Sequence, residues 1–332
     1  MRANHKIKAP GIDQMEMVGI GGIQQSLYFR GQNIENPVIL FIHGGPGNSM
    51  IQYLHLYQYD WENDFTIVNW DQRNVGKTYT ANSPEAVLKT IDVERVLKDA
   101  HEVTEYVKQK LNKDKIIIMG HSWGSVLGAM AVQSFPDDYS AYIGVAQVIN
   151  MADGERVGYE KVLEAAKASG NEKDIKALES IQPYPLTKYD SNSINGLITV
   201  RTYQSKYGLS INVGFRDIIN ILATPYYSFN ELKHSGIFNQ LKMIRYQGGL
   251  LQFLIEEADI KDYGVDYKVP VYYIMGGNDY ISPYIVAKEF FDGISAPDKQ
   301  IYSVPGVGHM PFFENKEEFR RILLEEIRPK VK

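Results

Sequence analysis

From Ile116 to Gly128 the chain reads IIIMGHSWGSVLG. Three β-branched residues and a methionine predict a buried strand. The small apolar residues after Ser122 (Val126, Leu127, Ala129, Met130, Ala131) predict a helix that stops before Pro136. Gly120-His121-Ser122-Trp123-Gly124 fits Gly-x-Ser-x-Gly at that junction. A serine that stands clear of the backbone needs a sharp strand-to-helix turn. The residues two places on either side must then be small. The N–H groups opening the helix also favour negative charge beside Ser122. The plain alternative is a turn former or helix cap, and what weighs against it is the set of partners elsewhere in the chain.

A nucleophilic serine needs a base, and the base needs an orienting group. Of the seven histidines, His309 lies in VPGVGHMPFFE, a glycine-rich loop after a late apolar strand. His43 and His121 belong to other motifs, and His5 is terminal. His101 sits on a helix, and His55 and His234 have no telling context. The orienting acid is Asp279 in VPVYYIMGGNDYISP, at the end of a strand and before His309. Asp259, Asp262 and Asp266 compete, but all precede that strand. The chain order serine, aspartate, histidine supports Asp279 and His309. The fourth element is FIHGGPGNS. An oxyanion needs donors from the residue after the nucleophile, Trp123, and from a loop whose bare backbone approaches substrate. Gly45 is the second donor, with Gly44 as the alternative.

Apolar runs in VILFIHGG, FTIVNWDQR, KIIIMGHS, AYIGVAQVI, VPVYYIMGGND and KQIYSVPGVGH lack clean alternation, as strands buried on both faces do. QMEMVGI and IQQSLYFRG flank Gly21-Gly22 and read as a strand pair. Residues 92–112 carry a 3.6-residue stripe of Val93, Val96, Ala100, Val103, Val107 and Leu111, and residues 314–327 carry another. Alternation of strand and helix at both ends predicts an α/β class, a mainly parallel sheet flanked by helices. Residues 151–266 show helical patterns at 155–169, 172–181, 216–222 and 250–257. QPYPLTKYDSNS reads as a loop. The expected organisation is therefore a core of residues 1–150 and 267–332 with an inserted helical cap, residues 151–266.

With no cysteine among 332 residues, disulfides and thiolate chemistry are excluded, and no metal site or cofactor is expected. The net charge of −5 has no like-charge run suited to nucleic acid or a polybasic membrane contact. No stretch approaches the ~20 apolar residues of a membrane span, and MRANHKIKAPGID lacks a signal-peptide h-region. The expectation is a cytoplasmic protein acting on a small molecule or short peptide, with its oligomeric state left open.

HGGPG, NWDQRNVGKT, GHSWGS, GGND and GVGH together resemble the proline iminopeptidase branch of the α/β-hydrolase superfamily. The resemblance covers residues 15–150 and 269–332. It implies an α/β-hydrolase fold, a triad of Ser122, Asp279 and His309, and an oxyanion hole from Gly45 and Trp123. It also implies that Asp71-Gln72-Arg73, with His43, supports the site. The family has glycine after Asp-Gln-Arg and serine after the next glycine, where this chain has Asn74 and Lys77. Its cap carries Trp-x-x-Trp-Glu, whose glutamate binds the substrate amine; here Trp61, Trp70 and Trp123 all precede the cap. Glu155 is the first replacement candidate, followed by Glu256 and Glu257. Cap tyrosines such as Tyr159, Tyr184, Tyr226 and Tyr227 are candidates for a pocket lining or for packing. The expected activity is a serine hydrolase for small amides or esters, led by an aminopeptidase releasing N-terminal residues. An esterase, amidase or lactonase is the alternative, and a binding protein on the hydrolase scaffold is a third reading. Epoxide hydrolases and dehalogenases of this fold use aspartate where this chain has Ser122.

Overall fold

A computed structural model of the chain describes residues 6–185, 187–232 and 240–331. His5 and His234 lie outside them. Eight strands form one sheet: β1 (Ile12–Ile20), β2 (Ile23–Gly31), β3 (Val38–Ile42), β4 (Thr66–Asp71), β5 (Ile116–His121), β6 (Tyr139–Val145), β7 (Val271–Gly276) and β8 (Lys299–Val304). Their order is β1-β2-β4-β3-β5-β6-β7-β8. β1 pairs with β2, and β2 with β4, antiparallel; every other neighbour is parallel. This is the mainly parallel sheet expected from the sequence.

The lack of alternation has a direct cause. On β5, Ile116 and Ile118 face one apolar cluster while Ile117 and Met119 face the other. Each side chain is at most 1% exposed. Burial at that depth stabilises by roughly 2 kcal/mol per side chain. Short helices α1 (Gly76–Ala81) and α2 (Pro84–Leu88) precede α3 (Val93–Leu111). Asp92 caps α3 by accepting from Arg95 N–H at 2.7 Å. α4 (Trp123–Ser134) follows β5 directly and is buried along almost its whole length.

Between β6 and β7 the named elements are helical: α5 (Met151–Ser169), α6 (Glu172–Glu179), α7 (Ser191–Lys206), α8 (Phe215–Leu222), α9 (Phe229–Leu232), α10 (Gln240–Glu256) and a short turn at Ile260–Tyr263. Three differ from the sequence expectation. α5 starts at Met151 rather than 155 because Asn150 caps it, accepting from Asp153 N–H. α7 begins at Ser191, inside the expected loop, because Asp190 accepts from Ser193 N–H at 2.8 Å. Ser191, Asn192 and Ser193 thus occupy a capped first turn rather than a loop. α10 runs well ahead of residue 250. α11 (Tyr284–Gly293) lies between β7 and β8. α12 (Pro311–Glu314) and α13 (Lys316–Arg321) follow β8, and a π-helical turn continues α13 to Ile327. That final stretch buries Phe319, Ile322, Leu323 and Ile327 as the periodicity predicts. Among the described residues no helix is long and apolar enough to cross a membrane.

Candidate active site

Ser122 joins β5 to α4 with φ 55° and ψ −120°, a backbone that serine adopts only under constraint. The constraint is close packing. A Cβ on Gly120 would lie 2.1 Å from the Gly124 carbonyl oxygen, and one on Gly124 would lie 2.2 Å from that of Ile42. Only hydrogen at both positions lets the elbow close against β3. Ser122 N–H donates to Val145 O at 3.0 Å. Ser122 O accepts from Ser125 N–H at 2.8 Å and from Ser125 Oγ at 2.6 Å.

His309 follows β8 and comes back over the elbow. Its Nε2 lies 2.9 Å from Ser122 Oγ, and its Nδ1 lies 2.8 Å from Asp279 Oδ2. Asp279 follows β7, and its Oδ1 accepts from Ile281 N–H at 2.9 Å and Ser282 N–H at 3.1 Å. Asp279 is 2% exposed and His309 is 5% exposed. A carboxylate on Nδ1–H leaves the Nε2 lone pair facing the serine hydroxyl, which is the arrangement needed to take its proton. Of the competing acids, Asp259 accepts from Lys261 N–H and Asn150 Nδ2, and Asp266 accepts from Ser295 Oγ. His101 is stacked on Phe135, and His55 Nε2 donates to Asn220 O.

Gly45, Ser122 and Trp123 line one cavity; Gly44 does not reach its wall. Gly44 packs behind the elbow, where a Cβ would come within 3.0 Å of Ser122 Cβ. Gly45 has φ +115°, and a Cβ there would meet Gly47 N at 2.6 Å. Among the described residues neither the Gly45 nor the Trp123 N–H is taken by a backbone acceptor.

Gln72 ties the His43–Gly45 segment to Trp123. Its Nε2 donates to His43 O at 3.2 Å, and its Oε1 accepts from Trp123 Nε1 at 3.1 Å. Its backbone N–H donates to His43 Nε2 at 3.3 Å, while His43 Nδ1 donates to Gly44 O. Asp71 accepts from Ser49 Oγ at 2.5 Å, from Tyr227 OH and from Lys77 N–H. Arg73 points away from the cavity: it grips Asp99 on α3 and donates to Thr90 Oγ1 and Gly21 O. It holds the loop from behind. Asn74 has φ 55°, so the position that is glycine in the resembling family keeps a left-handed backbone that asparagine tolerates. Lys77 pairs with Glu231 at 2.7 Å, joining the loop to α9.

Burial pushes His43 down to about 4 and His121 down to about 3, and pushes Asp71 up to about 6. The two histidines stay neutral in the folded protein, while the unfolded chain protonates them below about pH 6.5. Their contribution is fully present above that pH and is lost as pH falls toward 4 and 3. Asp71 acts in the opposite sense and regains stability as pH falls through 6. At pH 5 the histidines cost about 2 kcal/mol each and Asp71 returns about 1 kcal/mol. Urea unfolding should show lower stability at pH 5 than at pH 7, because the buried histidines outweigh Asp71, and a stability that holds or rises on acidification would contradict these assignments.

The cavity holds about 520 Å³. Its wall is mainly apolar, with Ile194, Leu197, Leu251, Leu254, Val286 and Met310 among the lining residues. Glu155 lies on this wall, and Glu256 and Glu257 do not. Glu256 is exposed and accepts from Tyr189 N–H at 2.7 Å; Glu257 is exposed on the surface. Glu155 is paired with Arg201, a wall residue on α7 that sequence reasoning did not single out. One signal was available: a glutamate expected at a buried junction needs a cation. Tyr184 OH donates to Glu155 Oε2, whereas Tyr226 and Tyr227 pack in the core. Among the described residues, His101, Glu105 and Asp138 have the atoms to hold a metal ion, but Lys108 Nζ already lies 2.7 Å from Glu105 and 2.6 Å from Asp138. An ammonium supplies the positive charge there.

Residues 37–316 match the α/β-hydrolase fold family, and the chain belongs to that family. It is 27% identical over 318 residues to a probable aminopeptidase of Bacillus subtilis, covering 95% of this chain and 96% of the relative. It is 21% identical to a proline iminopeptidase of Lactobacillus helveticus, over 90% of this chain and 92% of the relative. A solved proline iminopeptidase-related protein of Thermus thermophilus superposes with a TM-score of 0.65 at 18% identity, covering 96% of this chain and all of that one.

Proposed function

We propose that the protein is a serine hydrolase acting on a small, largely apolar amide or ester. The observation that carries this reading is the continuous hydrogen-bonded path from Ser122 Oγ through His309 to Asp279, opening into one cavity. In the mechanism, His309 Nε2 takes the Ser122 proton as Oγ attacks the carbonyl carbon. Asp279 holds the imidazole and stabilises its cation. The Gly45 and Trp123 N–H groups bind the oxyanion. His309 then protonates the leaving group, and a water deprotonated by His309 releases the acyl group from Ser122. Residues 151–266 act as the cap, over a core of residues 1–150 and 267–332, and limit substrates to short chains.

The names of the relatives support an aminopeptidase of the proline iminopeptidase type, releasing N-terminal residues from short peptides. The pairing of Glu155 with Arg201 favours a second reading, an esterase, amidase or lactonase that needs no free amine. Rapid mixing with a short-acyl 4-nitrophenyl ester tests the shared mechanism. A burst of one equivalent of nitrophenol is expected from the acyl-enzyme. Absence of turnover on esters and on aminoacyl anilides alike would refute it.

The same mechanism gives Gln72 a positioning role. Gln72→Leu leaves the Trp123 ring N–H without its acceptor and frees the His43–Gly45 segment from the elbow. A misplaced donor weakens oxyanion binding more than substrate binding. We expect kcat to fall roughly 10- to 100-fold with KM little changed. An unchanged kcat would remove this role.

A further inference from the structure

The cavity wall carries two formally charged side chains among the described residues, Glu155 and Arg201, and they neutralise each other. We propose that Arg201 sets the acyl-donor preference: by occupying Glu155 it removes the anionic anchor for a substrate ammonium. The site then selects donors whose amine is absent or acylated. This rests on the serine hydrolase reading above.

The pairing is close and directional. Arg201 Nη2 donates to Glu155 Oε1, and Nη1 donates to Oε2 at 3.1 Å. Tyr184 OH adds a 2.5 Å bond to Oε2. A carboxylate has about four acceptor positions, so three are already taken. The two-pronged contact also fixes geometry in a way a lone ammonium would not. Burial works against the Arg201 cation, but Glu155 and Tyr184 outweigh it and hold the guanidinium above its ordinary value. It stays charged throughout the working pH range.

The pair is anchored to the loop that carries Asp279. Arg201 Nη1 also donates to Gln204 Oε1 at 2.9 Å, and Gln204 Nε2 donates to Tyr280 O at 2.7 Å. Tyr280 follows Asp279 directly. α5 comes in against the same carbonyl, where a Cβ on Gly158 would lie 2.3 Å from Tyr280 O. Glu155, Arg201 and the Asp279 loop therefore form one unit. An ammonium entering the cavity leaves water and meets a wall of zero net charge. A neutral acyl group enters without that desolvation penalty and meets aliphatic side chains. The substrate class is an apolar acyl ester or amide, N-acylated aminoacyl compounds included.

The test compares kcat/KM for leucine 4-nitroanilide and N-acetyl-leucine 4-nitroanilide at pH 6.5, where the free amine carries its proton. The wild type should favour the N-acetyl donor by tenfold or more. Arg201→Met exposes Glu155 and should shift the ratio at least tenfold toward the free amine. The double variant Arg201→Met with Glu155→Met removes both charges and should keep the wild-type preference even if the single variant does not fold. A wild type that prefers the free amine would overturn the proposal. So would a folded Arg201→Met with an unchanged ratio, or a double variant that selectively loses free-amine hydrolysis. Labelling with a fluorophosphonate separates the two levels. A wild type labelled on Ser122 that prefers free amines removes this inference alone; one that is neither labelled nor active removes the hydrolase reading with it.

Discussion

Ser122→Ala is expected to lower kcat by on the order of 10⁶-fold while the protein remains folded. In the proposed mechanism the hydroxyl oxygen of Ser122 forms the acyl bond, and no other side chain replaces it at the elbow. The backbone at φ 55° accepts alanine at the same strain as serine, because both carry a Cβ and the constraint comes from Gly120 and Gly124. The Gly45 and Trp123 N–H groups, the proposed oxyanion donors, survive, so a small residual rate over water is expected. Burst and steady-state kinetics, with circular dichroism as the control for folding, check this. A variant retaining a tenth of wild-type activity would rule out Ser122 as the nucleophile.

Asp279→Asn is expected to cost about 10⁴-fold in kcat. The reason lies in which oxygen has which partner. Oδ1 accepts two backbone N–H groups, from Ile281 and Ser282, so the carbonyl oxygen of an asparagine amide is held at that position. Its NH₂ group then occupies the Oδ2 position, 2.8 Å from His309 Nδ1. A donor there demands an acceptor, so the imidazole switches tautomer and presents N–H rather than a lone pair to Ser122. The base is lost without removing any atom from His309. KM should change little, because Asp279 does not line the cavity. Wild-type kcat in Asp279→Asn would show that another group orients the histidine.

The parts of this fold that are legible in the sequence are those fixed by neighbours along the chain. Gly120 and Gly124 announce the elbow because the turn cannot close around any larger residue, and the strand before them is apolar because both its faces are covered. The order of Ser122, Asp279 and His309 can be read because each follows a recognisable strand. The inserted helices are less legible. The start of α7 reads as a loop because Ser191, Asn192 and Ser193 resemble turn residues until Asp190 is seen to cap them. Nothing beside Arg201 in the chain points to it: the signal sits at its ion-pair partner Glu155, which lies 46 residues earlier and meets it only in the folded chain. Glu256 and Glu257 look equivalent to Glu155 on charge, but the last residue of α10 and the turn after it leave both exposed, away from the cavity. Two departures from the resembling family's pattern make sense only in three dimensions: Lys77 forms an ion pair with Glu231, and Asn74 keeps a left-handed backbone that asparagine tolerates.

The proposed mechanism depends above all on Ser122 being a nucleophile activated by His309. Intact-mass measurement after exposure to a fluorophosphonate, followed by peptide mapping, tests it most directly. A single adduct on Ser122 is expected in the wild type, formed far more slowly in His309→Gln. An unmodified wild-type protein, or an adduct on any other residue, would contradict it.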